Sequence, residues 1–84
     1  MRRPFIVAEF SYQMNWHGRD WTVGCLTAEA AERSFQRRVA NNMAAYGKAG
    51  AVIAYETATL LPLLWTSEVI DPHAVLDYFV KPRP

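Results

Sequence analysis

Residues 27–47 read TAEAAERSFQRRVANNMAAYG, and this stretch decides the fold. The Thr27 hydroxyl is suited to accept an N–H from the first helical turn, and Glu29 sets a negative charge beside the positive end of the helix dipole. At the far end Gly47 is free to take the left-handed conformation that closes a helix, with Lys48 beside the negative end. Between these marks Ala31, Phe35, Val39, Met43 and Tyr46 recur at spacings of three and four, bordered by Ala28 and Asn42. That period predicts one long amphipathic helix with this stripe against a core. Glu29, Glu32, Arg33, Gln36, Arg37 and Asn41 fall on the opposite side, toward water or a partner. Burial contributes roughly 1.5–3 kcal/mol per large apolar side chain, against an ordering cost of about 1–2 kcal/mol per residue, so the helix needs a sheet beneath it.

Working outward, Pro4 to Met14 alternates, with Ile6, Ala8, Phe10, Tyr12 and Met14 inward and Glu9, Ser11 and Gln13 outward. Asn15 to Asp20 is a polar, Gly-containing connection, and Trp21, Val23 and Cys25 alternate after it, so Phe5 to Leu26 reads as a β-hairpin. Beyond the helix, Ala51 to Thr57 predicts a third strand, with Ile53 and Tyr55 on one face and Val52, Ala54 and Glu56 on the other. Leu60 to Thr66 predicts a fourth, placed at an edge or bulged because Pro62 has no N–H for an interior ladder. Asp71-Pro72 pairs a capping residue with the residue favoured at the first helical position, and Ala74, Val75, Tyr78 and Phe79 then stripe a short terminal helix.

The order ββαββ limits the topology. A helix crossing from strand two to strand three leaves those strands parallel, so strand three sits best beside strand one. The expected fold is α+β: an antiparallel sheet of order 2-1-3-4 packed on one long helix, with a short C-terminal helix, in one domain over residues 1–84. The long helix is roughly 28 Å, matching a strand of about eight residues. The second sheet face is expected to be open or partly covered, which would suit a docking partner or a second copy at that face or at an edge.

The 84 residues are 51% hydrophobic and 20% charged, more apolar than a disordered chain. A net charge of +1 gives no global field for nucleic acid, though a local basic patch remains open. A single cysteine, Cys25, excludes an intramolecular disulfide and suits a reducing cytosol. No run approaches the ~18–20 apolar residues of a membrane span, and neither a signal peptide nor a transmembrane helix is expected.

The chemistry-bearing groups do not assemble into a motif. His17, Asp20 and Cys25 straddle a hairpin, and Cys25 is in phase with Trp21 and Val23, so it reads as a core thiol rather than a metal ligand or nucleophile. Gly18, Gly24, Gly47 and Gly50 match no phosphate-loop spacing, and no two carboxylates pair, so no enzyme, metal or cofactor is expected. Two stretches suit partner binding instead. The loop from Trp16 to Trp21 offers Trp16, His17 and Arg19 at a hairpin tip, and Trp and Arg commonly anchor interfaces. Arg33, Arg37 and Arg38 line the outer helix and its flank, where they suit an acidic partner or phosphates.

The hairpin Phe5 to Leu26, the capped helix Thr27 to Gly47 and the segment Ala51 to Trp65 together resemble the small phage-encoded anti-CRISPR proteins of type I systems, in which an antiparallel sheet wraps one helix. The resemblance is architectural and covers nearly the whole chain. It implies a non-enzymatic inhibitor, in the host bacterial cytosol, that blocks a CRISPR effector complex by protein-protein contact. Val23 to Ala31 also resembles the strand-to-helix joint of HicB-type antitoxins, where a Gly-Cys pair precedes a helix, although the Pro residues usual before that pair are absent. A small nucleic-acid-binding module using the basic helix side is the second expectation, ahead of an antitoxin domain.

Overall fold

The computed structural model describes residues 3–10 and 19–80, with side chains at 3–10 and 21–77. Four strands, β1 (Phe5–Phe10), β2 (Arg19–Cys25), β3 (Ala51–Glu56) and β4 (Pro62–Trp65), form one antiparallel sheet of order β2-β1-β3-β4. Helix α1 (Ala28–Tyr46) lies over β2, β1 and β3, and helix α2 (Pro72–Val80) packs beside β4. No helix among the described residues is long and apolar enough to cross a membrane.

Both helices start, and α1 stops, as their sequences direct. Thr27 is extended (φ −133°, ψ 159°) and its Oγ1 accepts from Ala30 N at 3.1 Å, while Gly47 (φ 76°) donates its N–H to Met43 O at 3.0 Å. For α2, Asp71 Oδ1 accepts from Ala74 N at 3.1 Å, and Pro72 fills the first helical position.

The central strands are buried on both faces, which corrects the expectation that β1 turns only its even residues inward. Val7 and Ala8 are adjacent in β1 and both are fully buried. The odd face carries Val7 into a cluster with Cys25, Val52, Ala54 and, from α1, Ala31 and Phe35. The even face carries Ala8 and Phe10 into a second cluster with Ile53, Tyr55, Val69 and Leu76 of α2. The second face is therefore covered over β1 and β3. In α2 the buried residues are Pro72 and Leu76, with Val75 half-buried beside Leu76, whereas Ala74 is exposed; the Tyr78 and Phe79 side chains lie outside the described residues.

The edge strand β4 is shorter than expected. Its register with β3 shifts between Ala54 and Tyr55, the irregularity that Pro62 implied. Leu60 belongs to the preceding turn: it sits at φ 58° and donates to Glu56 O at 2.8 Å, while its side chain packs on the second cluster.

The α1 stripe is also phased differently. Ala31, Phe35 and Asn42 are buried and Val39 is half-buried, but Met43 is 50% exposed and Tyr46 74%. Met43 is turned to the flank because Asn42 beside it faces inward, and for Tyr46 the cause is length. Nineteen helical residues span about 28 Å at ~1.5 Å each. Strands of six and seven residues span only about 20–23 Å at ~3.3 Å each. The last turn of α1 therefore overhangs the sheet.

Phe35→Ala removes a buried aromatic ring and is expected to cost about 3–5 kcal/mol, while Tyr46→Ala is expected to stay within about 0.5 kcal/mol of the parent chain. Urea denaturation of the two variants measures both; similar losses would mean that the last turn of α1 is packed rather than overhanging.

Candidate functional site

At the end of the sheet where α1 finishes, a carboxylate sits between helix and sheet. Glu9 of β1 is the cross-strand partner of Trp21 in β2 and of Val52 in β3, and it is only 13% exposed. The sequence places it outward; the structure places it on the α1 face. A carboxylate there requires partners, and both oxygens have them. Oε1 accepts from Arg38 Nε at 2.6 Å and lies 2.5 Å from an Arg38 terminal nitrogen. Oε2 accepts from Asn42 Nδ2 at 2.9 Å, and the same amide donates to Ala49 O at 2.7 Å. The Arg38 guanidinium carbon also stands 4.6 Å from the centre of the Trp21 ring, a cation–π geometry.

Gly50 completes the group. Its φ of +85° lies in the left-handed region, and a Cβ there would stand 2.6 Å from both Asn42 Nδ2 and Glu9 Oε2. Only glycine gives the carboxylate and the amide this room.

Arg38, expected on the outer flank and available to a partner, is thus turned inward onto Glu9 and Trp21. Arg33 and Arg37 remain exposed on the outer helix, among the exposed Glu29, Glu32 and Gln36. Arg19 begins β2 opposite Phe10. Its side chain, and Trp16 and His17, lie outside the described residues. Trp21 is half-buried against the first cluster. Cys25 is a buried thiol directed at Ser34 Oγ, 3.8 Å away. Among the described residues no three His, Cys, Asp or Glu side chains converge on a metal position.

Residues the sequence reading missed surround the same end. Met43 and Tyr46 stand exposed where α1 outruns the sheet, and the paired residues Phe10 and Arg19, which anchor the β1–β2 connection, mark the sheet end nearest them. Comparing the helix length with the strand lengths was the available signal. Compared with protein-family models, curated proteins and solved structures, the chain matches none.

The polar group makes a specific demand on Gly50. Gly50→Ala is expected to destabilise by on the order of 2 kcal/mol, from its backbone conformation and the displaced amide and carboxylate. Asn42→Ala is expected to cost about 1–3 kcal/mol. Because Asn42→Ala removes one obstacle to the new methyl, the double variant should fall short of the sum by ~0.5 kcal/mol or more. Additive losses in urea denaturation would show that the methyl does not meet the Asn42 side chain.

Proposed function

We propose that the protein is a non-enzymatic inhibitor acting by protein-protein contact, and that its partner is a bacterial CRISPR effector complex in the host cytosol. The observation that carries the contact mode is the pair Met43 and Tyr46, exposed at the overhanging end of α1. Met, Tyr and Arg are enriched at protein interfaces, and Arg33 and Arg37 are exposed on the outer side of the same helix. From the sequence, Trp16, His17 and Arg19 are proposed as further contact residues; of these, Arg19 opens β2 opposite Phe10. The partner class follows from the architectural resemblance to phage anti-CRISPR proteins.

Nucleic-acid binding is the lesser reading because Arg38 is committed to Glu9. The outer helix then offers Arg33 and Arg37 interleaved with Glu29 and Glu32, so its charges nearly cancel.

Co-elution with purified type I surveillance complexes and their nuclease tests the partner, and phage plating on cells with active type I immunity tests inhibition. Tyr46→Ala is expected to weaken binding roughly 30-fold, as loss of an interface anchor of about 2 kcal/mol does, with the thermal melt unchanged. Failure to bind any such complex removes the CRISPR reading, and binding untouched by Tyr46→Ala and Arg37→Ala removes this surface. A steep loss of affinity between roughly 50 and 200 mM salt would instead mark phosphate contacts.

A further inference from the structure

Charge is divided unevenly along the chain. Residues 49–80, which hold β3, β4 and α2, carry Glu56, Glu68, Asp71 and Asp77 and neither lysine nor arginine, while seven of the nine basic residues precede residue 49. The same part exposes Leu61, Leu63, Trp65 and Ile70, the last at 92%. Trp65 and Ile70 bracket a fixed corner between β4 and α2. Trp65 is the cross-strand partner of Ile53, so its side chain leaves the sheet on the face that α2 covers. Thr66 is buried; its Oγ1 accepts from Val52 N at 3.1 Å and donates to Gly50 O. Val69 N donates to Thr66 O at 3.0 Å, and the Val69 side chain is buried in the second cluster. With Thr66 and Val69 both held, the corner presents Trp65 and Ile70 from a backbone that needs no further ordering. Glu68 falls between them in sequence and is half-buried, with its Oε2 enclosed and without a hydrogen-bond partner. That state is unfavourable until a cation reaches the carboxylate.

We infer that this corner docks a basic, apolar segment of a partner protein, with apolar side chains against Trp65 and Ile70 and an arginine or lysine on the Glu68 carboxylate. Charge selects the occupant. Asp71, whose Oδ1 caps α2, adds its charge beside Glu68, and an acidic surface repels the phosphates of nucleic acid and of anionic lipid while it attracts a segment that mixes Lys or Arg with apolar residues. Arginine fits best, since a guanidinium stacks on an indole while it hydrogen-bonds a carboxylate. The chain builds that arrangement internally, where Arg38 stands 4.6 Å from the centre of the Trp21 ring and donates to Glu9. The corner offers a tryptophan and a carboxylate of the same kind and, with no basic residue from Ala49 to Val80, does not supply the arginine from its own segment. This inference stands apart from the Met43 and Tyr46 surface of α1 and from the identity of the partner proposed there.

Selecting a random dodecapeptide display library on the immobilised full chain tests this without presupposing a sequence. The enriched peptides should combine arginine or lysine with aromatic or aliphatic residues. In calorimetric titrations a synthetic copy of the enriched peptide should bind Ile70→Ser and Glu68→Gln roughly 10-fold or more weakly than the parent chain, the scale of a lost interface anchor. Leu26→Ser, at an exposed site beyond the end of β2, should bind it like the parent. Glu68→Gln should also melt no lower than the parent, because a neutral amide relieves the uncompensated charge; a lowered melt would mean that the carboxylate is already partnered within the chain and would overturn the inference. No enrichment, enrichment of acidic peptides, or binding that Ile70→Ser and Glu68→Gln leave unchanged also overturns it. So does self-association of the parent chain that Ile70→Ser abolishes, which would give the corner to a second copy. If Ile70→Ser does not fold, Ile70→Thr carries the same test.

Discussion

The central strands β1 and β3 have no free face, and the rest of the architecture answers to that constraint. Val7 and Ala8, and likewise Val52, Ile53, Ala54 and Tyr55, are consecutive and buried, so each face of a six-residue strand must be covered by something apolar. One helix covers one face. α1 supplies Ala31 and Phe35 to the first cluster, while Val69 and Leu76, from the β4–α2 segment and α2, close the second. Neither helix could be removed without exposing a run of fully buried residues, and an 84-residue chain has little further apolar surface to replace it.

A charged residue on such a face is an exception that must be accommodated, and Glu9 is accommodated by α1. The pair is partly buried, and in such pairs the desolvation of the charges offsets much of their attraction. The effect of this one is positional. With Arg38 on one oxygen and Asn42 on the other, one turn apart along α1, the helix cannot rotate about its axis or slide along the sheet without stranding the carboxylate. Fixing Asn42 inward in turn decides what faces out: Met43 is carried to the flank, and Tyr46, one turn beyond Asn42 on the same line, passes the end of the sheet.

The same group marks the limit of what could be read from residue types. Both helix starts, the left-handed Gly47, the strand order and the irregular edge around Pro62 were legible because each follows from local stereochemistry or from connection rules that do not depend on distant residues. The phase of α1 was not. Hydrophobic period placed Met43 and Tyr46 inside and left Arg38 and Glu9 outside, since a charge is ordinarily solvated, and only the tertiary pairing of residues 29 positions apart reverses that. Nor was the two-faced burial of β1 legible, because Ser11 and Gln13 continued an alternation that Val7 and Ala8 break. Of the candidate contact residues, Arg33 and Arg37 stand exposed as expected, and Arg38 does not.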